Sequence, residues 1–216
     1  MKQLALPLPY PEEAGEAAFL ISSSNSRAAQ SLKRWGAWPV MAAMLVGPRK
    51  SGRSLLARIF AAQSGGTIID DAERVDEEVI FHAWNNAQAD RRPLLIVADA
   101  PPPDWPVTLP DLRSRLAATP IIAIDPPDEA LMHALLERDF ARRGLDARPE
   151  LVQWLLARLE RSHVALVRAV DALDQEVGQT RKRLSIPLAR GTLAPLGLIV
   201  DRALDAGNLV RGNDAA

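Results

Sequence analysis

The chain has 216 residues, room for one domain or two small ones. It carries 26 basic and 27 acidic side chains, a formal net charge of −1, which argues against an unaided, sequence-specific grip on DNA and favours a protein partner or a small ligand. Cysteine is absent, so disulfides and thiolate metal sites are excluded and a cytoplasmic setting is expected; no apolar run nears the roughly 20 residues of a membrane span and no basic-then-apolar leader is present, so no membrane association is expected.

Pro7, Pro9 and Pro11 alternate near the start and predict an extended arm. Ser22–Ser24 are placed to cap a helix from about Asn25 to Trp35. The apolar run Val40–Val46 predicts a buried strand, Ser54–Gln63 a helix stopped by Gly65-Gly66, and Thr67–Asp70 a short strand. Asp76 suits the cap of a helix from Glu77 to Asp90, with Val79, Ile80, Ala83, Trp84 and Ala87 on its apolar face. Leu94–Ala98 reads as a strand, Pro101–Pro110 as a proline-rich loop, Asp111–Ala117 as a short helix and Ile121–Asp125 as a strand. Strand signals then stop. Asp128–Arg143, Pro149–Arg161 and Val164–Gly178 have helical spacing, and Pro187 fits the first turn of a fourth helix. The expected organisation is an arm over 1–13, an α/β domain with a parallel sheet over 14–126, a small all-α domain over 127–192 and a tail over 193–216.

Residues 47–54 read Gly-Pro-Arg-Lys-Ser-Gly-Arg-Ser. The phosphate-binding pattern G-x-x-x-x-G-K-[ST] is met at Gly47, Gly52 and Ser54, with Arg53 in the lysine slot. Between a strand and a helix, such a loop turns backbone N–H groups toward a phosphate, and the helix N-terminus adds partial positive charge. Gly47, Lys50, Ser51, Gly52, Arg53 and Ser54 are therefore the candidate nucleotide contacts, for ADP or ATP. A glycine turn before a helix is the ordinary alternative. Ile68-Ile69-Asp70-Asp71 has the form of an apolar strand delivering carboxylates at its end, as a Walker B strand does. Asp70 with Ser54 would hold magnesium, and Asp71 or Glu73 would lie near the water to be oriented. Only residues 55–66 separate the two motifs, so the sheet is expected to be reduced by one strand.

Asp99, ending the strand Leu94–Ala98, is a candidate phosphate sensor or simply the start of a turn. Arg113 and Arg115 flank Ser114 on a short helix; arginine can stabilise charge in a neighbour's phosphoryl-transfer site, although a solvated charged face is the more usual role. Gln3, Leu4, Leu6, Pro7 and Leu8 have the shape of a docking peptide, against the ordinary case of an unbound terminus. His82, His133 and His163 share no metal-ligand spacing, and the scattered Trp35, Trp38, Trp84, Trp105 and Trp154 read as packing.

Taken in order, these segments resemble the Hda family of DnaA-related AAA+ proteins. Gln3-Leu4-Ala5-Leu6-Pro7-Leu8 is similar to that family's sliding-clamp-binding motif, Gly47–Ser54 to its Walker A, and Ile69-Asp70-Asp71 to its Walker B. Phe81-His82-Ala83-Trp84-Asn85 resembles the Phe-His-x-Phe-Asn stretch of DnaA relatives, Ile96–Asp99 the sensor 1 strand, and Leu109–Leu116 the arginine-finger segment, with Arg115 as the matching finger. Residues 127–191 resemble the helical lid. The resemblance implies a P-loop AAA+ core with a lid, in a regulator that docks on the sliding clamp and promotes hydrolysis of ATP bound to the initiator DnaA, with Arg115 in the catalytic role; Asp70 and Asp71 are catalytic if the chain is instead a self-contained ATPase. It also admits a homo-oligomer. Val164 stands where the family's sensor 2 arginine would fall, and with Arg53 this implies weak or absent turnover of the chain's own nucleotide. Two other readings stay open: a self-contained weak P-loop ATPase, and a pseudo-ATPase adaptor that uses no nucleotide.

Overall fold

A computed structural model describes residues 19–200. Four strands form one fully parallel sheet: β1 (Ala42–Val46), β2 (Thr67–Ile69), β3 (Leu94–Ala98) and β4 (Ile121–Ala123), in the order β2-β3-β1-β4. Every residue of β1 and β3 is buried, as expected of central strands covered on both faces. The edge strands β2 and β4 are shorter and partly exposed. Among the described residues no strand lies beyond β2, in line with the reduced sheet expected from the short spacing of the motifs.

Helices α1 (Ser26–Lys33) and α2 (Arg53–Ser64) cover one face of the sheet, where Leu32, Leu56, Ala57 and Phe60 pack on Leu45, Leu95 and Val97. Helices α3 (Glu77–Asp90) and α4 (Pro110–Ala118) cover the other, where Ile80, Leu112 and Leu116 meet Met44, Leu94 and Ile96. The residue alternation of the strands thus feeds two cores at once. α3 has the bounds its sequence predicts, because the Asp76 carboxylate accepts the Glu78 N–H at 3.0 Å. Val79 departs from the expectation: it is 54% exposed, since the helix docks through Ile80 and Ala87 and the buried stripe passes beside it. α1 is shorter than expected and is followed by a single 3-10 turn at Trp35–Ala37.

After β4 come α5 (Glu129–Arg142), α6 (Pro149–Leu156), α7 (His163–Thr180) and α8 (Ile186–Leu193), which enclose a separate core around Leu136, Phe140, Leu155, Leu166 and Leu173. Beyond α8 the chain turns back, Ile199 bridges Leu159 in antiparallel fashion, and Ile199 is buried in this core. Asp128 joins the two parts: one oxygen caps α5 through the Leu131 N–H at 2.7 Å, and the other accepts the Ser23 hydroxyl at 2.6 Å and the Ser24 N–H at 3.2 Å. The Ser23 and Leu131 bonds hold its carboxyl down at about 2.

Candidate functional site

The carboxyl ends of β1, β2 and β3 converge on the loop 47–52, which enters α2. Two of its positions demand glycine. A Cβ at Gly47 would stand 2.8 Å from the Ile124 carbonyl oxygen, so the loop could not approach β4 with any other residue there. Gly52 has φ 85° as it turns into α2, and Lys50 also has φ 65°. Ser51 is buried, and its hydroxyl has no hydrogen-bond partner. Ser54 lies in the first turn of α2.

Arg53 is buried, at 8% exposure, and its guanidinium donates to the Ala98 carbonyl and to Asp99 Oδ1. Arg49 from the same loop donates Nε to Asp99 Oδ2 at 2.9 Å. Both oxygens of Asp99 are therefore held by arginines. Partial burial works against its charge, but the hydrogen bonds and charges of Arg49 and Arg53 outweigh that and leave the carboxyl below its usual range; the same bond raises Arg49. Residues that sequence reasoning placed beside a phosphate thus satisfy one another.

Of the carboxylates after β2, the one turned toward this cluster is Glu73. Its Oε1 accepts the Asp99 N–H at 3.4 Å, and its Oε2 is buried without a partner. Asp70 is exposed and its Oδ1 accepts the neighbouring Asp71 N–H at 3.0 Å; Asp71 is exposed at φ 49°. Glu73 was expected, as the alternative to Asp71, near the water to be oriented; Arg49 was not a candidate, since its partner Asp99 lies far along the chain.

A second constellation lies between α3 and α4. The Arg115 guanidinium sits 4.4 Å from the Phe81 ring centroid and 5.4 Å from that of Trp84, with Nε donating to Asn85 Oδ1 at 3.0 Å and Nη1 to the Asp111 carbonyl at 3.2 Å. It is half-buried. Phe81, Trp84 and Asn85 share a helix face at i, i+3 and i+4, so two segments read separately in the sequence meet here. Glu77 fixes the frame: it accepts the Thr108 N–H at 2.8 Å and the Leu109 N–H at 2.6 Å, bonds that lower its pKa and tie the start of α4 to the start of α3. Arg113 faces elsewhere, with Nε and Nη2 on the Val107 carbonyl at 3.1 and 2.7 Å. In the helical domain Val164 is 38% exposed at the start of α7. Gln3, Leu4, Leu6, Pro7 and Leu8 lie outside the described residues.

Residues 128–193 match the family described as Hda, lid domain. Domain III of the Thermotoga maritima replication initiation protein DnaA superposes with a TM-score of 0.71 at 14% identity, over 87% of this chain and 98% of that one. The helical domain therefore matches an Hda-type lid, and the chain as a whole has the AAA+ fold of DnaA domain III. Its α/β core and helical lid are those expected of that fold. The AMPPCP-bound DnaA of Aquifex aeolicus is also similar, with a TM-score of 0.60 at 12% identity, over 78% of this chain and 65% of that one. An uncharacterized protein of Haemophilus influenzae is 31% identical over 118 residues, which are 54% of this chain and 51% of that protein, so this AAA+ chain spans about half the length of that curated relative. Among the described residues no helix is long and apolar enough to cross a membrane.

Proposed function

We propose that this chain is a clamp-tethered regulator of replication initiation that stimulates hydrolysis of ATP bound to DnaA. Arg115 carries the proposal. Its guanidinium is held at the surface by two aromatic faces and an amide oxygen, none of which neutralises it. A cation so held is oriented beforehand and keeps its full charge for a partner's developing phosphoryl charge. Gln3, Leu4, Leu6, Pro7 and Leu8 would dock on the sliding clamp, bringing Arg115 to DnaA on DNA. The formal charge of −1 accords with DNA contact made through partners.

The chain's own P-loop fits a phosphate in part. Gly47, Gly52 and the unpartnered Ser51 hydroxyl form a cradle of the right kind, and Lys50 and Ser54 border it. ADP or ATP bound there would serve as a structural ligand, with Arg53 exchanging its contact with Asp99 for the phosphate. The donors for magnesium fit poorly. Asp70 is exposed and engaged with its own neighbour, and among the described residues no group of three or more histidine, aspartate and glutamate side chains gathers. Asp70 and Asp71 accordingly have no part in catalysis under this proposal.

A second reading, the pseudo-ATPase adaptor, draws on the Arg53–Asp99 pair, which engages that guanidinium within the fold. Turnover of DnaA-bound ATP, measured with and without clamp loaded on DNA, tests the first reading. Acceleration that requires both this chain and the clamp is expected; turnover indifferent to the chain would overturn it. Nucleotide retained through purification separates the two readings of the P-loop.

A further inference from the structure

The lid carries a feature that the regulatory reading does not use. Between the start of α6, the end of α7 and the start of α8 lies a groove of about 700 Å³. Leu145, Leu151, Val177, Leu184 and Ile186 supply its apolar surface. Four cations rim it: Arg148, and the consecutive Arg181, Lys182 and Arg183 of the α7–α8 connection. All four are exposed. Arg181, at φ 54°, caps α7 by donating its N–H to the Val177 carbonyl, which sets the direction of the Lys182–Leu184 segment along the groove. Asp146 and Glu150 also line it, leaving an excess of positive charge.

Two acids of α7, Asp171 and Asp174, pair with Arg143 at 2.6 and 3.4 Å. The chain as a whole has a charge of −1, so this positive rim is a local concentration. Apolar floor and cationic rim together specify an occupant that offers apolar anchors between carboxylates. Single-stranded nucleic acid is a poorer match, because among the described residues the groove has no aromatic ring on which a base could stack.

We infer that the lid groove is a docking site for an acidic, leucine-bearing segment of a partner protein, with Arg181, Lys182 and Arg183 engaging its carboxylates and Leu145, Leu184 and Ile186 receiving its apolar side chains. The site is independent of Arg115, so the regulatory proposal and this one stand or fall separately.

The test uses the full chain and a fluorescent peptide with leucine at every third or fourth position and aspartate or glutamate elsewhere, followed by anisotropy. Saturable binding that weakens as salt rises is expected. The variant R181S/K182S/R183S should lose at least tenfold in affinity with an unchanged melting temperature, because all three side chains are exposed. A matched peptide with lysine in place of its acids should not bind. Absence of saturable binding, or equal binding by the triple variant, would overturn the inference. So would tighter binding of oligothymidylate at the same groove, which would assign it to nucleic acid. Self-association of the chain that the triple variant abolishes would assign the groove to a second copy instead.

Discussion

Two arginines in this molecule have opposite surroundings. Arg53 is buried and shares Asp99 with Arg49, so its guanidinium is already engaged within the fold. Arg115 is half-buried among Phe81, Trp84 and Asn85, partners that orient a guanidinium without neutralising it. The difference is one of availability. An arginine paired with a carboxylate must break that pair before it can serve a phosphate, whereas one resting on aromatic faces can be lent to another molecule at the smaller cost of a cation–π contact. Under the proposed function, the internal pair governs access to the loop and Arg115 is the residue lent to a partner.

The largest effect should come from Arg115. Arg115→Ala is expected to remove nearly all stimulation of DnaA-bound ATP hydrolysis, a loss of about 10³ to 10⁵ if the finger has the weight measured for fingers supplied in trans. Arg115→Lys should fail almost as badly, because lysine lacks the planar fork. Arg113→Ala should have a much smaller effect, since that side chain is committed to the Val107 carbonyl. Full activity of Arg115→Ala with loss in Arg113→Ala would transfer the role to the wrong neighbour and break the comparison.

Next in size is the release of Arg53. Asp99→Asn keeps the side chain's shape but removes the anion, and should raise affinity for fluorescent ADP by about tenfold, the order of one charge-assisted contact regained. Unchanged affinity, read in the same titration, would show that the internal pair does not govern access to the loop. Smaller still is the cradle. Phe81→Leu or Trp84→Leu removes one cation–π contact, about 0.5–1 kcal/mol, and should lower DnaA stimulation a few-fold while leaving clamp affinity intact. Loss in both readouts would point to general unfolding of the α3–α4 face.

The smallest effect concerns the joint between core and lid. The Asp128 carboxyl is depressed to about 2, from an unfolded value of about 3.9. Its contribution to stability is fully present above about pH 4 and is lost as pH falls through about 2. Asp128→Asn keeps the helix cap but not the charge. The stability gap between wild type and this variant, measured by denaturant unfolding, should therefore narrow between pH 4 and pH 2. A gap that stays constant across that window would mean that the charge at the joint is not what holds it.

The sequence was legible where local chemistry decides structure. Asp76 announced α3, and the unbroken apolar run Leu94–Ala98 announced β3 with the bounds observed. The loop at Gly47–Ser54 and the segment around Arg115 were also identifiable from residue types in order. Pairings across the fold were not. Arg53 meets Asp99 46 positions along, and Arg115 meets Asn85 30 positions back; no periodicity encodes either. Trp84, read as packing, also flanks the guanidinium of Arg115 and donates to the Thr119 hydroxyl. Glu73 faces the loop because the 3-10 turn at Ala72–Arg74 directs it there, a geometry that acidic residues in sequence do not reveal.

The contrast between the two arginines is tested most directly by following labelled ATP in each site separately. In single-turnover reactions, ATP pre-bound to DnaA should be hydrolysed rapidly when this chain and clamp-loaded DNA are both present, and ATP supplied to the chain alone should persist. Hydrolysis by the isolated chain near 1 per second, the order of a competent enzyme, with no acceleration of DnaA-bound ATP, would contradict the account.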